Sequence, residues 1–409
     1  MKWWFKRPLY FQIFVCILAG VLLGLVLGER SSVVKPVGDI FLRLLTMLIV
    51  PLTFFTLTSG MTKLEDLKTF RKMGGTVVLY FLVTSFIAAA VGTAAGLIIR
   101  PGREAAGLLD AGTTVEAGSF DFMENLVSWF PKNPVESFSQ GHMLQIIVFS
   151  LIVGLGLLAM GERAARLVRL VDDGAELMIK ITNFVMWLAP YGILALIADM
   201  VASLGARMLG ELARFVAADL AAMVLLLVAV YPAVLGLWGR LGPLRFYRNA
   251  ASAMLVAAST TSSGATLPVS MTVARDNLGV PEKIWGFSLP LGATVNMDGM
   301  AASIGVIAVF AANLYGVPLT AALLFQFVFL GLVLSIGTAG IKGGGIVMSG
   351  VLLQSLHMPL SLLPLLASIW PVLDVGHTTC NVTGDLVGTA AVARRMKVLD
   401  RNVFDGPSS

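Results

Sequence analysis

Asp374, His377, Thr378, Asn381 and Asp385 are residue types that bind ions and small polar ligands. All of them lie in one apolar run, WPVLDVGHTTCNVTGD (370–385). A second cluster, NMDG (296–299), sits inside an earlier long apolar segment. A charged group at the centre of a membrane helix costs about 2.5–3.5 kcal/mol on translocon scales, so such groups face a bundle interior or cavity and serve an ion or substrate path. Two neighbouring carboxylate-bearing segments of this kind point to a transporter.

Composition agrees. The chain has 409 residues, 57% of them hydrophobic and 13% charged, with a mean hydropathy of +0.87. Soluble domains carry roughly 25% charged residues, about twice this fraction. Many segments reach the roughly 20 apolar residues that a membrane-crossing helix needs. The net charge of +5 resides in loops, where it orients the chain in a bilayer and does not form a nucleic-acid surface. Cys16 and Cys380 both fall in apolar segments, which argues against a disulfide framework or a metal knuckle. The opening KWWFKRPLY leads into a long apolar run with no small-residue cleavage site before GERSS, so a retained first span is expected, with Trp3, Trp4 and Tyr10 as interfacial anchors.

Apolar segments fall at about 9–28, 38–61, 75–99, 142–160, 175–200 and 212–238. Beyond Arg248 the segments, at about 250–274, 283–313, 322–356 and 360–393, become rich in Gly, Ser and Thr. Basic residues mark every second loop: Lys2, Lys6 and Arg7; Lys63, Lys68, Arg71 and Lys72; Arg163, Arg166 and Arg169; Arg240, Arg245 and Arg248; and Arg394, Arg395, Lys397 and Arg401. Both termini are therefore expected in the cytoplasm. The acidic 100–141 connection is expected outside, together with a loop holding Arg207 and Arg214, which Glu211 offsets in part. ASTTSSGATLP (258–268) and SIGTAGIKGGG (335–345) place helix-poor residues in mid-segment. Non-helical backbone at membrane depth is tolerated only inside protein or along a cavity. Each segment thus reads as two short helices joined by a tip, followed by a carboxylate-bearing helix. That unit occurs twice, the sign of a repeat-built transporter with its site between the repeats.

TSSGATLP (261–268), NMDG (296–299), GTAGIKGGG (337–345), DVGHTTCNVTGD (374–385) and PVGDIFLRLLTMLIVP (36–51) together resemble the dicarboxylate/amino acid:cation symporters, the glutamate transporter family, along nearly the whole chain. The resemblance implies an all-α polytopic fold of eight spans and two re-entrant hairpins, assembled as a homotrimer. Residues 1–249 would supply six spans, 250–395 the elevator-like transport core and 396–409 a cytoplasmic tail. It also implies an inner or plasma membrane symporter, not an enzyme, with an amino acid substrate, the lipid bilayer as surroundings, Na+ or H+ as coupling ion and no organic cofactor.

Residue by residue, Asp374 matches the aspartate that holds a substrate α-amino group. Asn381 and Thr378 match groups around the α-carboxylate and amino group, and Ser263 matches the hairpin serine whose amide meets the α-carboxylate. Ile341, at the second tip, is a further substrate-side position. One sodium site would use Asp298, Asn296, Thr84 and Ser85. A second would use Asp385 with carbonyls of Gly292, Asn296 and Asn381. A third would use carbonyls of Thr294, Ser335, Ile336 and Thr338. Such all-oxygen shells suit hard cations.

The chain departs from the family's acidic-substrate members at His377, where they carry arginine, and at Met300, where they carry threonine. An arginine forks onto a carboxylate and stays charged, whereas a histidine, with an unperturbed pKa of about 6.5, offers single-point donors. The expected substrate is therefore a neutral amino acid. The alternative is an acidic amino acid or C4-dicarboxylate met by a protonated His377. Lys342 stands where proline is usual at the second tip, and is either a tethered cation that replaces a coupling ion or a solvated side chain. A packing role is the other reading of His377. A channel, and an intramembrane serine protease using Ser263 and His377, are the competing functions; the protease leaves Asp298, Asp374 and Asp385 unexplained.

Overall fold

The computed structural model describes residues 9–62, 71–106, 127–338 and 344–406, and every regular element among them is helical. The apolar runs of the first half become α1 (Leu9–Leu27), α2 (Lys35–Thr62), α3 (Arg71–Ile99), a short α4 (Pro134–Gln140), α5 (Met143–Met160), α6 (Ala165–Trp187) and α7 (Ala189–Leu225). Among the described residues, six helical stretches are long and apolar enough to cross a bilayer. Lys63 and Lys68, the acidic residues Asp110, Glu116, Asp121 and Glu124, and Trp3, Trp4, Ile341 and Lys342 lie outside the described residues, as do the side chains of Tyr10, Arg71 and Lys72.

Three expected features change. The segment read as one span at 175–200 breaks at Leu188, and α7 starts with Pro190 in its first turn. Proline lacks an N–H and clashes with a preceding helical turn, so it begins a helix more readily than it continues one. Residues 165–174, read as loop, are helical, because Val171 and Ala175 turn inward at helical period while the charges stay out. The outer loop expected near Arg207 and Arg214 is helix as well. There Arg214 pairs with buried Glu211 at 2.8 Å and with Glu104 at 2.6 Å, and Glu211 also accepts the Gly102 N–H. Two carboxylates thus neutralise Arg214, one of the two arginines that break the loop-charge pattern; the side chain of Arg207 lies outside the described residues.

Past Leu225 the chain continues through two π-helical stretches, Leu226–Val230 and Val234–Gly239, either side of Tyr231–Ala233. Pro232 lies between them, and π-bulges concentrate at functional sites. The second half gives α8 (Pro243–Thr260) and α9 (Ser263–Asp276), then α10 (Glu282–Val295) and α11 (Asp298–Leu314). After these come α12 (Ala321–Gly337), α13 (Gly344–Ser355), α14 (Leu363–Arg395) and the short α15 (Arg401–Asp405). The expected pairs of short helices are present. In the first, Thr261 takes a left-handed φ of 49°, and the Ser262 side chain accepts the Ala265 N–H at 3.3 Å to cap α9.

α1 packs on α7, and α2 on α5 and α6, while α14 contacts α7, α8, α10 and α11. α11 is the centre: nearly all of its residues are buried, and its most extensive partner is α3. Without a hydrophobic drive between helices in lipid, small residues at the crossing supply close packing. Gly92 of α3 lies directly against the Ala302 carbonyl, leaving no room for a side chain. Gly92→Ala is therefore expected to lower the thermal unfolding midpoint of the detergent-purified protein by several degrees, the overpacking cost being about 1–3 kcal/mol. Gly156→Ala, which meets nothing within 4 Å, should leave it unchanged. Equal melting of the two variants would show that α3 and α11 are not this close.

Candidate functional site

The break between α10 and α11 at Asn296 and Met297 brings the NMDG polar groups against α3 and α14. Asp298 is fully buried. One of its oxygens accepts the Ser85 hydroxyl at 3.0 Å, and the other lies 3.1 Å from the Tyr231 hydroxyl. Asn296, also fully buried, donates its amide to Asp385 at 3.0 Å and accepts from Thr84 at 3.3 Å. Tyr80 donates to the Gly384 carbonyl at 3.0 Å. Gly384 is needed here: a Cβ would stand 2.7 Å from an Asp298 oxygen and 2.9 Å from the Tyr231 hydroxyl. Gly292 packs against the Asp385 carboxylate in the same way. Thr84, Ser85, Gly292, Asn296, Asp298 and Asp385 are thus gathered in one buried cluster whose donors are carboxylate, hydroxyl and amide oxygens. That donor set fits a hard cation such as Na+.

Beside it lies a small pocket of about 20 Å³ lined by Ser263, Met300, Asp374, His377, Thr378 and Asn381 among others. Every expected substrate-side residue in the described part of the chain therefore converges there. α9 delivers Ser263 as its first residue, and the free N–H groups of a helix N-terminus favour an anion. α14 delivers Asp374, His377, Thr378 and Asn381 from successive turns. Asn381 connects the pocket to the carboxylate cluster, since its side-chain oxygen accepts the Gly299 N–H at 2.8 Å. About 20 Å³ is room for a water, so an amino acid enters only when the walls part.

Thr294, Ile336 and Thr338 of the third expected sodium site line a different cavity, of about 260 Å³, together with residues of α2, α5 and α6. Ser335 is buried beside them and donates to the Leu332 carbonyl at 2.8 Å. Thr338 lines both cavities, so the end of α12 separates the substrate-side pocket from the larger space.

Four residues around these sites were not expected from the sequence. Tyr80 and Tyr231 join the carboxylate cluster. Trp370 packs on His377, with ring centroids 5.0 Å apart. Asp219 of α7, wholly buried, lies 2.7 Å from His377 Nε2. Asp219 had a signal, being a carboxylate inside the apolar segment 212–238, the same feature that marked Asp298 and Asp385. The tyrosines had none, because aromatic residues in apolar segments ordinarily pack. His377 places Nε2 on Asp219, and Nδ1 has no partner among the described residues. It therefore has no ring nitrogen engaged in activating Ser263.

Residues 9–395 match the model of the sodium:dicarboxylate symporter family. A proton/sodium-glutamate symport protein of Geobacillus stearothermophilus is 31% identical over 402 residues, covering 95% of this chain and 94% of that protein. C4-dicarboxylate transport proteins of Laribacter hongkongensis (29% over 405 residues, 96% of this chain and 91% of theirs) and Bacillus subtilis (28% over 415 residues, 98% and 96%) are similar along the same length. These relatives are transport proteins, not enzymes, which removes the protease reading. They are named for anionic substrates, so the expectation of a neutral amino acid is not supported and the acidic or dicarboxylate alternative fits better. With motifs, polar clusters and whole-length similarity in agreement, the chain belongs to the sodium:dicarboxylate symporter family.

Proposed function

We propose that the protein is a cation-coupled symporter for an acidic amino acid, driven by sodium, protons or both. The observation that carries this reading is the convergence of Ser263, Asp374, His377, Thr378 and Asn381 on one pocket beside the Asp298–Asn296–Asp385 cluster. The helix N-terminus at Ser263 and the Asn381 amide suit an α-carboxylate. Asp374 suits an α-ammonium. A C4-dicarboxylate has no cation to offer Asp374, whose charge would repel it, so the glutamate-type relatives are the better guide to the substrate. His377 then meets the second carboxylate.

In this reading Asp298, Asn296, Thr84 and Ser85 hold one sodium ion. Asp385 with backbone oxygens of Gly292, Asn296 and Asn381 holds another, and the Thr294, Ser335, Ile336 and Thr338 carbonyls hold a third. When bound, sodium supplies positive charge beside buried carboxylates, and so couples its own gradient to the formation of the neighbouring pocket. The α8–α9 and α12–α13 pairs are re-entrant hairpins accompanying eight spans. Residues 250–395 form the core of a moving unit that α3 joins, in a homotrimer of the inner membrane with both termini in the cytoplasm. The similarity of the relatives along their whole length and the centrality of α11 support this arrangement.

Two measurements test the proposal. Asp374→Ala is expected to abolish uptake by the purified protein in proteoliposomes while its circular dichroism and melting stay those of the parent; surviving uptake would remove the amino acid assignment. In competition for uptake, L-glutamate or L-aspartate should outcompete succinate, serine and alanine, and the reverse order would overturn the substrate class. Substrate-accelerated counterflow separates this carrier from a channel.

The sodium role predicts that Gly384→Ala, which crowds Asp298 and Tyr231, weakens the apparent sodium affinity. A loss of about 1.4 kcal/mol or more corresponds to at least about tenfold. Sodium titration of uptake checks this. An unchanged sodium midpoint in a folded variant would place the ion elsewhere.

A further inference from the structure

The contact between His377 and Asp219 belongs neither to the sodium cluster nor to the groups that suit an amino acid main chain. It joins α14 to α7. His377 is 2% exposed and Asp219 wholly buried. One Asp219 oxygen takes Nε2 at 2.7 Å. The other oxygen and the ring Nδ1 are both buried, with no partner among the described residues. Buried polar atoms in native proteins are almost always hydrogen-bonded, and a half-satisfied buried network is costly in a low-dielectric interior. A ligand in the pocket that His377 lines supplies the missing partner. Trp370 packs on the ring, and α11 presses against the His377 backbone at Gly299, so the imidazole is held in place.

We propose that Asp219 is a specificity-determining residue of the pocket: it accepts Nε2–H, fixes the orientation of His377 and balances its charge, so that Nδ1–H is presented to the side-chain carboxylate of an acidic amino acid. The inference rests on the substrate reading above and adds to it a residue and a proton. A neutral imidazole has one N–H. Given to Asp219, it leaves Nδ1 as an acceptor, which repels a carboxylate. An imidazolium has two, one for Asp219 and one for the substrate. Asp219 supplies an opposite charge 2.7 Å from the Nε2 of that form. The proton on His377 is then part of the bound complex: hydronium gives it up, one O–H bond breaking to leave water as the Nδ1 lone pair takes the proton to form N–H.

The ionisable and polar groups around His377 are few. α7 contributes Asp219. Its own helix contributes Asp374, whose charge the substrate ammonium meets, and Cys380. The remaining pocket-lining residues, among them Thr378 and Asn381 of the same helix and Ser263 of α9, carry no charge. A family arginine in this place carries its charge unconditionally. The His377–Asp219 pair carries it only with a proton.

The test measures uptake of L-aspartate and L-glutamate by the full-length protein in proteoliposomes at saturating sodium, from pH 5.5 to 8. In the parent, KM for the acidic substrate is expected to rise by up to about tenfold per pH unit on the alkaline side, as for one required proton. Asp219→Asn keeps the shape and an acceptor oxygen but removes the charge. It should raise KM at pH 7.5 by at least about tenfold, with the loss in KM and not in maximal rate, and with recovery on acidification. His377→Arg should retain acidic-substrate uptake with a KM flat across the range. An Asp219→Asn protein with the parent's KM and pH profile would make Asp219 a packing partner only. Should that variant not fold, a pH slope in His377→Arg equal to the parent's overturns the inference alone. Parent protein that takes up serine or alanine in preference to both acidic substrates overturns the substrate reading itself, and the inference with it.

Discussion

Asp298 lies where three helical segments meet: Ser85 of α3 reaches one oxygen, Tyr231 of the helical turn between the two π stretches comes to the other, and Gly384 of α14 leaves room for both. The rest of the structure is arranged around the need to satisfy carboxylates of this kind. A buried charge without hydrogen bonds costs several kcal/mol or more, and the chain buries Glu211, Asp219, Asp298 and Asp385. Each is met by a group from elsewhere in the chain. Asp385 has Asn296 from the break between α10 and α11, Asp219 has His377 of α14, and Glu211 has the Gly102 backbone as well as Arg214. These contacts tie α3, α7, α10, α11 and α14 into one body more specifically than apolar packing could. In lipid, apolar side chains gain little by choosing one another over the surrounding tails.

The same contacts explain the irregular backbone. A continuous helix through 282–314 would have no non-helical residues at NMDG to set Asn296 and Asp298 toward two different neighbours. The π turns around Pro232 hold Tyr231 against both Asp298 and the Cys380 carbonyl, 3.1 and 3.0 Å away. Between α8 and α9, the left-handed Thr261 ends one helix so that the next begins at the pocket with Ser263. Each irregularity lies at a site where a polar group has to be aimed, and the break at Asn296 and Met297 is buried in protein, where such backbone is tolerated.

The pocket brings together groups of different charge character. Ser263 opens α9 there and Asp374 adds a carboxylate. His377 adds an imidazole already bonded to a carboxylate. An arginine there would be bidentate and permanently charged; the His377–Asp219 pair is single-point and responds to its surroundings. That difference, more than the loss of a threonine at Met300, distinguishes this pocket from one built on arginine.

Much of this was legible in the sequence. Polar residues within apolar runs located the cluster and the pocket, because few physical reasons put Asp, Asn or His at membrane depth. Gly-, Ser- and Thr-rich mid-segments located the turn between α8 and α9 and the end of α12 at Thr338. Composition established the class, and the motifs established the family. The sequence misplaced the break at Leu188 and the start of α6, since hydropathy averages over windows and one proline or one amphipathic turn is lost in the average. Its preference for a neutral substrate came from His377 and Met300, considered without the partner that His377 meets in the fold. Only the tertiary structure decided that Asp219, 158 positions away in the chain, is that histidine's partner, and that Tyr80 and Tyr231 complete the carboxylate cluster. Residue type and spacing report which groups must be buried. Which buried group meets which depends on helix crossings far apart in sequence, and no local pattern encodes them.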